Sequence, residues 1–283
     1  MTQIKIGCEH YAWVMAGCIK PDDPYYNKLD HIVKVVHKAG FKGFEPIDKF
    51  LYSFFDAPRL KDCLAVANMQ LSSVVLLEDW LNPKETPAEI EAADKLIDFL
   101  ADNFPDTLMM PVQMPTSRGD NDLIERQDNL ISCANALSRR AAEKGIACSY
   151  HPNSPEESIW RTASDYERLL PMLDHDVIGW TPDVGHMAAG GMDPVQLMRD
   201  YRKIINHVHY KDMNKDKSWA LMGEGIIDFK TITLDLIKTR YDGWIIVEDE
   251  CDRAVSDPDG VTMECGDFMK DFLRSLPQAG ELS

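Results

Sequence analysis

Basic residues are scarce in this 283-residue chain: 30 Lys and Arg stand against 47 Asp and Glu, a formal net charge of -17. A field of that sign repels phosphate backbones and anionic membranes, so no nucleic-acid or membrane partner is expected; it also draws divalent cations into any pocket it surrounds. Paired thiols are missing too. The seven cysteines, at positions 8, 18, 63, 133, 148, 251 and 265, are odd in number and show no C-x-x-C spacing. Neither a disulfide framework nor a thiolate zinc site is expected, and reduced thiols imply a cytoplasmic setting. No stretch approaches about 18 uninterrupted apolar residues, and the start carries no apolar leader, so export and membrane insertion are not expected. Phosphate-cradling glycines are absent as well: no G-x-G-x-x-G follows the first strand and no G-x-x-x-x-G-K-[ST] occurs, which implies no nucleotide cofactor.

What remains is a composition of 45% hydrophobic and 27% charged residues, enough to bury a sizeable core. Short β-rich runs alternate with helical stretches along the whole chain. Ile4–Cys8 reads as a strand, followed by a Pro-containing loop and an amphipathic helix over Tyr25–Ala39, with Gly40 as its C-terminal cap. Strands are then expected at Phe41–Pro46, Leu71–Leu77, Thr107–Val112, Ile146–Tyr150, Val177–Thr181, Asn206–Tyr210 and Gly243–Val247. Helices are expected at Pro58–Asn68, after Thr86-Pro87, over Asp120–Lys144, after Thr162, from Asp193-Pro194 to Tyr201, over Phe229–Arg240 and over Asp267–Leu276. Eight strands alternate with eight helices and no second-domain linker, so residues 1–283 read as a single (β/α)8 TIM barrel of the α/β class.

In such a barrel the C-terminal ends of the strands face one pocket. The residues there are Glu9 and His10 on strand one, Glu45 on strand two, His151 on strand five, Asp183 on six, His209 on seven and Glu248 on eight. Asp183 follows a hydrophobic strand, where a carboxylate is dehydrated unless a cation or donors meet it. His207 and His209 lie on the same side of one strand, since strand side chains repeat every second residue. His207 reads as a packed core residue and His209 as the ligand. Glu248 is the first side chain at the mouth of an apolar strand, and Glu250 shares its facing. Carboxylates joined by imidazoles suit one divalent metal, Mn2+ first, then Mg2+, Fe2+, Co2+ or Zn2+. A metal with open positions can chelate a carbonyl and its neighbouring hydroxyl while a base removes the α-proton. The 14 methionines, Trp80 and the aromatic run Tyr52-Ser53-Phe54-Phe55 read mainly as packing, with pocket stacking as the other use.

The motifs Asp183-Val-Gly-His186 with Ala189-Gly-Gly-Met-Asp-Pro194, His207-Val-His-Tyr-Lys-Asp212, Gly223-Glu-Gly-Ile-Ile-Asp-Phe229 and Gly243-Trp-Ile-Ile-Val-Glu248 occur in that order. Across nearly the entire chain this pattern resembles the xylose isomerase-like barrels of sugar phosphate isomerases and epimerases, inosose dehydratases included. The resemblance implies that Asp183, His209 and Glu248 are metal ligands, that His186 and Lys211 face the substrate, and that the Gly223–Gly225 loop borders the pocket. The fourth ligand of that family comes from strand five, commonly a Glu; here Ser149-Tyr-His151-Pro-Asn153 puts His151 at the equivalent place. Two opposed carboxylates can remove and return a proton on opposite faces of a carbon, whereas one Glu and one His better support one-sided enolisation and loss of a β-substituent. A lyase is therefore expected, with isomerase or epimerase as the alternative.

The Tyr150-His-Pro-Asn-Ser-Pro155 and Glu248-Asp-Glu250 segments, with Ser256-Asp-Pro-Asp-Gly-Val-Thr262, are also similar to catalytic subunits of C-glycoside deglycosidases, which act on 3-oxo-glucosides. On these expectations His151, Glu45 and Glu248 do the acid/base work, His151, Asp183, His209 and Glu248 hold the metal, and His10, His186, Lys211 and Glu250 bind substrate. The partner is a sugar, glycoside or cyclitol, with a homo-oligomer or a second subunit left open. A related apurinic-site endonuclease is disfavoured by the acidic charge. A non-catalytic sugar-binding barrel is disfavoured by the retained ionisable groups, which cost stability without a role.

Overall fold

The computed structural model describes residues 4–19, 26–50, 56–114, 118–119 and 121–277. Eight strands form the barrel wall: β1 Lys5–Glu9, β2 Gly43–Glu45, β3 Ser73–Glu78, β4 Leu108–Gln113, β5 Cys148–Tyr150, β6 Ile178–Trp180, β7 Val208–Tyr210 and β8 Trp244–Val247. β7, β8, β1 and β2 pair in parallel in that order, as do β3 to β6. Single parallel bridges close the ring, Ile47 to Val75 on one side and Trp180 to Ile205 and Asp183 to His209 on the other. The expected third strand is broken at Ser72: Gln70–Leu71 pairs with β2, and β3 turns to β4.

Helices follow the strands as the caps dictate: α1 Tyr11–Met15, α2 Tyr26–Ala39, α3 Ala57–Val66, α4 Pro87–Asn103, α5 Leu123–Glu143, α6 Ala163–Met172, α7 Val184–Ala189, α8 Pro194–Asp200, α9 Phe229–Lys238 and α10 Pro258–Ser275. Thr86 and Glu89 form the reciprocal capping pair that opens α4, with Pro87 in its first turn. Gly40 ends α2 at φ 103, a conformation that glycine adopts without a Cβ penalty.

Three further features depart from expectation. The loop expected after β1 contains α1. α7 follows Asp183 directly, where no helix was expected. The closing helix begins at Pro258 rather than Asp267, because Asp257 accepts the Gly260 N–H at 2.9 Å and Pro258 opens the first turn. Trp80 is buried in the core and does not line the pocket. Tyr25, Asp120 and the run Tyr52–Phe55 lie outside the described residues.

Candidate active site

The site begins with a helix cap. Asp183, fully buried just beyond β6, caps α7: its Oδ1 accepts the His186 N–H at 2.6 Å. The other oxygen, Oδ2, has no hydrogen-bond partner among the described residues. The Asp-x-x-His spacing thus performs two tasks, fixing the carboxylate by its N-cap bond and leaving one oxygen aimed elsewhere. Three groups converge on that oxygen. His209 Nδ1 lies 4.0 Å away and His151 Nε2 3.7 Å away, and Glu248 Oε2 is 3.0 Å from His209 Nδ1. One donor atom from each of His151, Asp183, His209 and Glu248 lies within 4.8 Å of every other. Both ring nitrogens of His151 are buried without a hydrogen-bond partner. Orphaned imidazole and carboxylate atoms facing one point would each cost stability if nothing met them, and the donor set is that of a divalent metal site. The four residues fit such an ion.

Behind these ligands stands a second layer. Glu45 on β2 puts Oε1 2.8 Å from His209 Nε2 and Oε2 2.9 Å from His207 Nε2, and Ser73 hydrogen-bonds the same carboxylate. Glu45 is fully buried and absent from the pocket lining. The acid/base duty expected of Glu45 therefore meets a geometry that orients His209 instead. His207 is a buried, hydrogen-bonded core residue, as its strand position suggested. Lys211, also buried, donates to Glu248 Oε1 at 2.6 Å, Glu250 Oε1 at 2.8 Å and His186 Nε2 at 3.1 Å.

Two further carboxylates pin the segment that leads from β7 to α9. Asp212 accepts backbone N–H groups of Met213, Gly223, Gly225 and Ile227 at 2.9 to 3.3 Å. Asp249 accepts those of Met222 and Cys251. Gly225 has no room for a side chain, since a Cβ would strike the Asp212 carboxylate. Trp219 and Lys217, held in this segment, line the pocket.

Electrostatics divide the carboxyl groups. Burial raises Glu248, but Lys211 and His209 outweigh it and hold this carboxyl well below its ordinary value. Burial, reinforced by Glu248 and Glu45, pushes Glu9 well up, and burial lifts Glu250 to about 7 against the opposing pull of Lys211. His186 is lowered to about 3 by burial and by Lys211, which keeps its ring neutral. Carboxyls of unlike protonation in one cavity are a common basis for acid/base division of labour.

The pocket over this cluster encloses about 550 Å³, within the range of small-molecule sites. Its walls differ. Ile47, Val75, Leu77, Met110, Val112 and Met114, from the β2 to β4 side, make one half apolar. The half from β5 around to β1 carries His151, Asn153, Ser154, Glu248, Glu250 and Glu9. Of the expected substrate contacts, His186 and Glu250 line the cavity, and Lys211 sits directly beneath them. His10 does not: it is fully buried, accepts the Ile47 N–H at 3.0 Å and packs edge-on against Phe44, with burial lowering it to about 3. Its place after β1 is taken by Tyr11 and Glu9. Sequence reasoning also missed Asn153, Ser154, Arg161 and Trp219. The first two lie within three residues of His151, so a loop leaving a strand end was the available signal; nothing local marks Trp219.

The fold and site define the class. Residues 33–272 match the family model described as xylose isomerase-like TIM barrel, and the chain belongs to that family. An inosose dehydratase of Clostridium beijerinckii is 26% identical over 301 residues, covering 95% of this chain and 97% of that one. Two solved structures share the fold: the 3-keto-D-glucoside 4-epimerase YcjR of E. coli, at 17% identity and TM-score 0.71 over 95% of this chain and 100% of that one, and an L-ribulose 3-epimerase, at 16% and 0.72 over 96% and 95%.

Proposed function

We propose that the protein is a divalent-metal-dependent enzyme that enolises a keto-sugar by removing the proton beside its carbonyl, and that it works as a lyase on 3-oxo-glycosides. The observation that carries this reading is the convergence of His151, Asp183, His209 and Glu248, four buried donors at the C-terminal mouth of the barrel, with the facing atoms of His151 and Asp183 left without a hydrogen-bond partner among the described residues. These four would hold the metal; when bound, it supplies Lewis-acid polarisation of the substrate carbonyl. The inosose dehydratase relative supports sugar or cyclitol dehydration as the neighbouring chemistry.

The chain's own groups do the rest. Glu248, kept ionised by Lys211, is the proton acceptor facing the pocket, and Glu9, pushed up by burial and its acidic neighbours, is the donor to a departing group. Glu45 orients His209 from behind. The apolar half of the cavity favours a glycoside over a cyclitol. A fully hydroxylated ring would leave hydroxyls unpaired against Ile47, Val75, Leu77 and Met110, at a cost of roughly 1–3 kcal/mol for each unpaired polar group. An apolar aglycone fills that half without the cost.

The test combines metal analysis of purified protein, Asp183→Ala and His209→Ala with NMR detection of deuterium uptake into 3-oxo-glucosides and inososes. About one metal per chain, lost in both variants together with exchange beside the carbonyl, is the expected result. A parent that stays metal-free after reconstitution would sink the reading. Exchange into inososes alone would return the substrate to the cyclitols.

A further inference from the structure

We propose that Lys211, His186 and Ser154 form a hydrogen-bond relay that presets the Ser154 hydroxyl as a donor to the substrate, so that this wall of the pocket favours an acceptor oxygen. The proposal rests on the cavity described above being where substrate binds.

A lysine ammonium has three N–H donors and no acceptor. Lys211 Nζ has three acceptors around it, Glu248 Oε1 at 2.6 Å, Glu250 Oε1 at 2.8 Å and His186 Nε2 at 3.1 Å, so each donor is taken. An imidazole nitrogen that accepts carries no proton, and the neutral ring then bears its single proton on Nδ1. His186 Nδ1 lies 2.7 Å from Ser154 Oγ. The N–H donates and the serine oxygen accepts. Ser154 lines the pocket, and its own hydrogen is left to turn inward.

A lone serine hydroxyl rotates to donate or accept as a ligand requires. This one already accepts from His186 Nδ1, which leaves its hydrogen for the ligand, and the ammonium at the far end of the relay polarises it. The chemistry it recognises is an oxygen lone pair on the keto-sugar: a carbonyl, ring or glycosidic oxygen. An amine or amide N–H at that place would meet only the second lone pair of the serine oxygen and would leave the preset hydroxyl hydrogen without an acceptor. His186 and His151 stand edge to face with centroids 5.8 Å apart, so the donor is set beside the candidate metal ligands.

Two measurements on the full chain decide the matter. In long-range 1H–15N correlation spectra, with the His186 signals assigned by their loss in His186→Gln, the ring is expected in the Nδ1–H form. The Nε2–H form overturns the relay. In calorimetric titrations with phenyl 3-oxo-glucoside, Ser154→Ala is expected to bind about tenfold more weakly than the parent and Ser154→Thr within about twofold. An alanine variant that binds as tightly as the parent overturns the donor role. A parent that binds no 3-oxo-glucoside counts against the proposed function, and the tautomer of His186 then decides the relay by itself.

Discussion

Glu45 and His209 meet back to front: the carboxylate oxygen Oε1 lies 2.8 Å from Nε2 of the imidazole, while Nδ1 of the same ring faces Glu248 at 3.0 Å. A ring held from behind by a carboxylate presents its other nitrogen at a fixed angle and with raised basicity. The pair explains why a glutamate is buried on β2 without reaching the pocket. Glu45→Ala is expected to weaken metal binding about 10- to 100-fold, with Glu45→Gln between the two. Competition against a chromogenic chelator measures it, and unchanged affinity in both variants would remove the orienting role.

Asp183 divides its oxygens between a helix cap and the cluster. Asp183→Asn keeps an acceptor for the His186 N–H and removes the charge. The variant is expected to melt within a few degrees of the metal-free parent, whereas added Mn2+ raises Tm in the parent only, as binding to the folded state requires. Scanning fluorimetry across a Mn2+ series separates these outcomes.

Asp212→Ala strips the acceptor from four backbone N–H groups. A loss of about 2 kcal/mol is expected, since the buried Met213 N–H left unmet costs on the order of 1 kcal/mol or more and the three part-buried donors, which water can reach, less each. Gly225→Ala should lose stability for the converse reason, its methyl striking the same carboxylate. Urea titrations check both.

Burial pushes the Asp48 carboxyl up to about 7, against a hydrogen bond from the Leu77 N–H. The folded protein holds this proton more tightly than the unfolded chain, where an aspartate titrates at about 3.9. The linked stabilisation is complete below about pH 4 and is lost as pH rises through about 7. Asp48→Asn is therefore expected to gain on the parent between about pH 5 and about pH 8, by no more than about 4 kcal/mol. Parallel denaturation curves at the two pH values would contradict the shift.

Strand and helix periodicity, the capping pair at Thr86 and Glu89, and acidic or imidazole residues at strand ends were enough to read the barrel and to bring Asp183, His209 and Glu248 forward as a set, to which the family resemblance added His151. Local pattern carries that information because alternation and capping are properties of neighbouring residues. What only the tertiary structure decided is which side of a strand end each group faces and what stands behind it. Glu45 and His10 occupy strand-end positions much as Glu248 does, yet one turns to His209 and the other to the Ile47 N–H. Trp219 reaches the pocket because Asp212 and Asp249 hold its segment by backbone N–H groups distant in sequence. Such facing depends on the closure of the ring and on partners contributed by other strands, and no window of neighbouring residues contains those partners.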